Sequence, residues 1–396
     1  MLDQIQHRIS GRALSAVTIF FAANPTVSIA ADIELFKGGT VSAQAKASAL
    51  YDDNIYLQDT APISAWLTVF TPEISVAVES EKVSFSSSAV SRIGSYPGGE
   101  RASFKDYLGS ADFRWQPMST LGLTASGRYS DANQRVNADE SMQLNPVIEA
   151  ERVISPEAEI GLVASTPSKR SQIKYSIGSE SQDFFGEERD FDNDYTRLEI
   201  SYRLTPRVIL TAESSNSEIT YKDVLDRDAL DSEERGIFVG ATYDLPKTKI
   251  TARYGKSEKN FASATRETRS VPVWDVGLDW SFRTYSGFKL NFSKTVRESL
   301  GQAGFIESSS GALSWHHQWT SKFQSNFAYS QAKGEFSGID RERALRISGV
   351  SLQYLFADTC FLGAGFTSTR SDDELNGFED ISVERNEIFL SISGPL

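Results

Sequence analysis

A single cysteine, Cys360, stands in the chain, so neither a disulfide framework nor a cysteine-ligated metal site can be built from it. One cysteine also suits a protein that passes through an oxidising compartment. Outside the first thirty residues there is no apolar run approaching the roughly 20 residues of a membrane-spanning helix, and the mean hydropathy is −0.32. That excludes helical spans but not a transmembrane barrel, in which only alternate residues meet lipid. Basic surface is short too: 40 Lys and Arg face 53 Asp and Glu, a net charge of −13, which argues against a nucleic-acid partner. The 27 glycines are dispersed and form no phosphate-cradling loop. No cofactor is expected.

What is present in quantity is alternation. In Tyr195–Ser214, Leu198, Ile200, Tyr202 and Leu204 alternate with Arg197, Glu199, Ser201 and Arg203; after Thr205-Pro206, Val208, Leu210 and Ala212 continue the pattern. A period of two means a strand with one apolar and one polar face, and a proline between two such runs marks a turn. Val41 to Tyr51 gives a first strand of the same kind. Taking Pro72, Pro117, Pro156, Pro206, Pro246, Tyr285, Ser321 and Ala357 as turn markers, the unit recurs every 36 to 50 residues. Two strands of about 10–13 residues, a short turn and a longer loop fill such a repeat, and strands of that length cross a bilayer core when tilted.

Eight short turns join sixteen strands, and one strand at each end makes about 18. The expected fold is therefore all-β: a transmembrane antiparallel up-and-down barrel with short periplasmic turns and longer acidic extracellular loops. Asp183–Asp194, Lys222–Arg235 and Ser371–Arg385 are the acid-rich connections. Between Pro156 and Pro206 an extra apolar patch, Ile173, Tyr175 and Ile177, is read as part of one long strand bulged near Pro167, or as β structure in an outer loop. A soluble sandwich or propeller alternates as well, but does not need Trp274, Trp280, Phe282, Phe288, Trp315 and Trp319 near strand ends, where aromatic girdles meet headgroups.

The first thirty residues read as an export signal. Arg8 and Arg12 precede the apolar stretch Ala13–Ala23, and Ser28-Ile29-Ala30 places small residues for cleavage before Ala31. Residues 31–396 are then the barrel, with a net charge of −14, in the outer membrane of a Gram-negative cell. About ten residues precede the first strand, so no separate plug is expected.

No catalytic motif stands out. His316 and His317 lie in LSWHHQWT, where Leu313, Trp315, His317 and Trp319 share one face; a histidine base beside a serine would suit a membrane hydrolase, whereas interfacial residues on a tryptophan-rich strand need no chemistry at all. Asp190, Asp192 and Asp194 have calcium-loop spacing without the glycine and glutamate of an EF-hand. What the alternation supplies is a candidate pore lining: Asp112, Arg114, Arg197, Glu199, Arg203, Arg253, Asp275, Asp279 and Lys289. Mixed charge suits a hydrated passage for polar solutes, where a pore for one anion would carry a basic cluster.

The first strand ending in Tyr51-Asp52-Asp53-Asn54, and the hairpin SYRLTPR at 201–207, resemble the β-barrel porins of exopolysaccharide and capsule clusters, the β-barrel porin 2 type. The resemblance spans nearly the whole mature chain. It implies an 18-stranded barrel that passes a polysaccharide chain, set in outer-membrane lipid and lipopolysaccharide and working with a periplasmic polysaccharide-export protein. The chain ends Ser-Gly-Pro-Leu rather than on an aromatic, with Phe389 the nearest. A nutrient-uptake porin for carbohydrate, and a barrel enzyme or adhesin with its function in the loops, are the alternatives. N-terminal sequencing of protein extracted from the membrane is expected to start at Ala31; a mature chain retaining Met1 would contradict the leader.

Overall fold

The computed structural model describes residues 33–36, 38–97, 103–133, 152–185, 190–222, 230–264, 266, 268–297, 305–377 and 380–396. The leader and the segment 134–151 thus lie outside the described residues. A short strand β1 (Ile33–Phe36) precedes eighteen long ones. These are β2 (Gly39–Asp52), β3 (Ala65–Glu79), β4 (Val83–Ser95), β5 (Phe104–Met118), β6 (Leu121–Asn133) and β7 (Arg152–Ser165). They continue with β8 (Ser171–Phe184), β9 (Phe191–Thr205), β10 (Val208–Tyr221), β11 (Ser232–Leu245), β12 (Thr248–Phe261) and β13 (Arg269–Arg283). The last six are β14 (Ser286–Arg297), β15 (Ile306–Gln318), β16 (Phe323–Phe336), β17 (Arg341–Leu355), β18 (Phe361–Leu375) and β19 (Ile381–Pro395). Each pairs antiparallel with its neighbours in sequence, and β19 pairs with β2, which closes the sheet into an 18-stranded barrel. The hairpin strand β1 pairs with Gly39–Val41 of β2, alongside the stretch Gln44–Asp52 that β19 occupies.

Closure is held by side chains as well as by the ladder. Arg385 reaches Asp52 at 2.7 Å and also pairs with Glu387, and Tyr96 donates from its hydroxyl to Asp52 at 3.3 Å. Asp53 accepts from the Asn386 backbone N–H at 2.6 Å and from its side-chain amide at 2.9 Å, while Asn54 donates to the Glu384 carbonyl at 2.9 Å. The Asp52-Asp53-Asn54 run therefore grips residues 384–387 across the seam, and Asp52, Arg385 and Glu387 are buried.

Connections of two to five residues lie at one end of the barrel, the turn side, and connections of four to eighteen at the other, the loop side. Both β2 and β19 have their chain-terminal ends on the turn side. At Pro206-Arg207 the turn is fixed by Thr205 Oγ1, which accepts from the N–H groups of Arg207 at 3.2 Å and Val208 at 3.1 Å. Five of the eight markers fall inside true turns. Three do not, although the total of 18 stands. Pro72 lies within β3, and that turn is at 80–82; Pro117 lies two residues before the turn at 119–120. Pro156 lies within β7, and the turn of this hairpin is at 166–170, with Lys169 in the left-handed region at φ 52°. Pro167 thus marks a turn rather than a bulge, and Ile173, Tyr175 and Ile177 belong to a separate strand, β8.

A proline cannot donate to a ladder, and Pro72 and Pro156, both well inside their strands, stand where one ladder lapses. Pro72 pairs with Ala45 of β2, but the β3–β4 ladder jumps from Phe70 to Glu73. The β7–β8 ladder likewise jumps from Ile154 to Glu157.

The outer face follows from alternation. Ile388, Leu390 and Ile392 of β19 are 54, 62 and 46 % exposed, as are their counterparts on other strands, because their solvent is lipid. The strands, at 12 to 15 residues, are longer than expected and stand about 35 Å tall when tilted, above an apolar band of about 25 Å. Their surplus lies on the loop side. About half of the acid-rich stretches is consequently strand end rather than loop: Asp192 and Asp194 belong to β9, Asp372 and Asp373 to β18, and Glu384 to β19. There, outward ion pairs take over from apolar residues, among them Lys222–Asp192 at 2.8 Å, Lys294–Glu307 at 2.8 Å and Arg346–Asp372 at 3.1 Å. Trp274 lies within β13 opposite Tyr254 rather than at a strand end, and marks the upper edge of the band.

Removing the guanidinium from the seam leaves two buried carboxylates without their cation, and such a loss costs about 3–5 kcal/mol. Arg385→Ala is expected to lower the unfolding free energy by that amount, read as a lower denaturant midpoint of the folded barrel followed as the compact band on unheated gels. Lys289→Ala, which breaks an exposed pair, is expected to cost less than about 1 kcal/mol.

Candidate functional site

The inner face carries a lateral ladder of charge at mid-height. Lys174 of β8 bonds Glu159 of β7 at 2.8 Å, and Arg197 of β9 reaches the other oxygen of Glu159 at 3.4 Å. Arg197 also approaches Glu213 of β10 at 3.6 Å; Arg253 of β12 touches Glu213 at 3.5 Å and bonds Asp275 of β13 at 2.6 Å. Three cations and three carboxylates thus run across seven strands with no net charge.

Two of these contacts skip a strand, so the long side chains cross the residues of the strand between. Ser176 and Gly178 of β8 lie between Glu159 and Arg197, and Gly240 of β11 stands beside Arg253 on the way to Glu213. Gly178 has a second duty. Tyr195 lies across it to donate to Glu157 at 3.1 Å, and a Cβ there would meet the tyrosine ring at 2.4 Å. The Arg253 guanidinium also rests on the Phe238 ring, 4.7 Å from its centre, so the side chain is held from below as well as at both ends.

All nine residues singled out from the sequence share this inner face. Arg197, Arg253 and Asp275 are rungs of the ladder. Glu199 lies in register between Lys174 and Glu213, and Arg203 stands closer to the turn, opposite Ile209. Asp279 and Lys289 pair at 3.7 Å near the turn-side mouth. Asp112 and Arg114 of β5 stand apart, among Ser84 and Ser86 of β4 and Thr124 and Ser126 of β6, where Arg114 donates to Gln116 at 2.8 Å. Sequence reasoning missed Glu159, Lys174 and Glu213. The first two were obscured by the misplaced turn at Pro156; Lys174, flanked by Ile173 and Tyr175, carries the same alternation signal as the residues that were found.

Burial divides the inner face along its height. On the loop side, Val153, Phe184, Phe191, Ile219 and Tyr221 form a buried apolar cluster with Leu230 against it, and Ile306 and Phe336 form another with Ile339. Toward the turns, inward side chains such as Asp279 and Lys289 are half exposed. The interior is therefore packed near the loops and open near the turns.

His316 and His317 separate as the alternation requires. His317 shares the outer face with Trp315 and Trp319, its ring centre 5.6 and 4.3 Å from theirs, in the turn-side girdle with Trp280, Phe282 and Phe288. Its Nδ1 is 3.0 Å from Ser286 Oγ, but that hydroxyl is fully buried, accepts from Trp315 Nε1 and donates to the His316 carbonyl. Its proton is committed and its oxygen unreachable, which is a structural tie within the girdle rather than an activated nucleophile. Asp190 accepts from the Phe184 N–H at 2.7 Å and Asp192 pairs with Lys222, so these two aspartates cap and brace strand ends. Among the described residues, no cluster of three metal-ligating side chains occurs.

Solved structures with a similar fold are outer-membrane barrels of low identity. OccK2 (OpdF) of Pseudomonas aeruginosa, solved in complex with glucuronate, is 10 % identical over 91 % of this chain and 98 % of its own, with a TM-score of 0.49. The siderophore receptor PirA of Pseudomonas aeruginosa is 9 % identical over 89 % of this chain and 79 % of its own, at 0.44. The FrpB iron transporter of Neisseria meningitidis (F3-3 variant) is 8 % identical over 89 and 81 %, at 0.45. No curated protein matches the sequence. Residues 38–394, by contrast, match the family described as "Putative beta-barrel porin 2", and the chain belongs to that family of outer-membrane β-barrel porins.

Proposed function

We propose that this barrel passes a secreted polysaccharide outward across the outer membrane, by passive conduction through its polar lumen. The observation that supports this reading best is the inner wall itself. It is largely polar from the turn-side mouth to mid-height, and its charges between β7 and β13 are tied into a ladder rather than gathered into a basic or acidic filter. A hydrated passage of that kind suits a polymer that forms hydrogen bonds along its whole length. Barrels of this class place their short turns on the periplasmic side, so the wide mouth would face the compartment from which a polymer arrives. The nine inner-face residues then line the pore, the ladder bracing the wall between β7 and β13. The chain carries no nucleotide-binding motif, so the driving force would come from synthesis and from a periplasmic polysaccharide-export protein docked at the turn side. Outer-membrane lipid and lipopolysaccharide surround the apolar band.

Deleting the gene in its native host and measuring surface polysaccharide tests this. Loss of the polymer, with growth on single sugars intact, is the expected result. Normal surface polysaccharide together with loss of growth on one sugar would replace export with nutrient uptake. Hydrolysis of phospholipid by purified protein, abolished by His317→Ala, would make the barrel an enzyme instead.

A further inference from the structure

Charge is not spread evenly around the lumen. The ladder and all nine sequence-selected residues belong to β5–β14. On the arc β15–β19, which with β2–β4 completes the barrel, the inner positions of the turn-side half are hydroxyls, amides, small residues, His316 and Phe389, with Leu355, Phe361 and Pro395 at the turn-side rim. Among the described residues, no Asp, Glu, Lys or Arg stands there. Ser314 pairs with Ala328, Asn326 with Ser351, and Gln324 with Gln353, whose side-chain amides also hydrogen-bond to each other. Gly349 lowers the wall beside it, so that a chain can lie close to the backbone there, while the Phe389 ring lies across Gly365 and the Ser391 hydroxyl over Gly363. Lys46 of β2, opposite Ser393 and 5.5 Å from the Phe389 ring centre, bounds the arc on its far side.

An acidic polymer is held by cations free to meet its carboxylates, whereas the cations of the ladder already have carboxylate partners on the wall. A neutral sugar chain asks for something else: a row of groups that donate and accept, with room to approach. Resting on the channel reading above, we propose that the uncharged turn-side half of the arc β15–β19 is the contact track for the cargo, and that the cargo is a neutral, hydroxyl-rich sugar polymer.

The test is ion-current blockade of the purified full-length protein in planar bilayers, with dextran oligomers compared against oligogalacturonate of matched length. Dextran is expected to block at about tenfold lower concentration. Asn326→Leu with Gln353→Leu, checked for folding by unheated gel mobility, is expected to weaken dextran block about tenfold, at roughly two- to tenfold per lost hydrogen-bonding group; Gln353→Leu alone serves if the double variant misfolds. Equal or tighter block by oligogalacturonate would overturn the neutral cargo while leaving the channel standing. Unchanged dextran block in the variants would overturn the track. A wild-type protein that conducts no ions would overturn the channel reading and this inference with it.

Discussion

A sheet of eighteen strands has two edges, and here they are joined at a buried ion pair between Asp52 and Arg385. Without that seam the barrel is an open sheet with a row of unpaired backbone groups at each side, which neither lipid nor water-free interior can satisfy. The backbone ladder between β2 and β19 supplies the hydrogen bonds, but a ladder alone tolerates a slip. A slip of one residue would turn every side chain of a strand to the opposite face. Asp53 and Asn54 prevent this because they bind the backbone of Asn386 and Glu384, not only side chains. The family-like Tyr-Asp-Asp-Asn run is therefore a register lock.

Everything on the two faces depends on that register being right all the way round. Cross-strand partners share a face, so parity set at one pair propagates through eighteen strands and must agree with itself where they meet. It does: Leu50 faces inward with Phe389, and Tyr51 outward with Ile388. The outward set then divides by height into an apolar band and a collar of ion pairs, since the strands outreach the hydrocarbon. Inside, the same surplus height becomes the packed, loop-side part of the interior, where apolar clusters and the seam lie together. The open part of the lumen is the part that the lipid band surrounds.

The strands, their faces and their number were legible because period-two alternation is local, and each residue near Leu198 or Ile388 reports its face through its immediate neighbours. Turn positions were less legible. Proline was read as a turn, whereas Pro72 and Pro156 sit at two-residue lapses in a ladder with one neighbour, a circumstance set by the adjacent strand and invisible in the chain itself. The strand β4 was hard to see for a different reason: VSFSSSAVS puts serine on both faces and blunts the contrast that alternation needs. The count survived because each error moved a turn without creating or deleting one.

The inner face was legible as a set and not as an arrangement. Arg197 and Glu213 are sixteen residues apart and Arg197 and Glu159 thirty-eight, and only the register of three ladders brings them within bonding distance. That arrangement carries a functional consequence the isolated residues do not. Six separate charges lining a pore would bias it toward whichever sign was better exposed. The same six, bonded in sequence around the wall, cancel within a few ångströms, so their field decays before reaching the middle of a wide lumen. Along that part of the wall the inner face between β7 and β13 therefore presents paired charge, and little net field, toward the lumen.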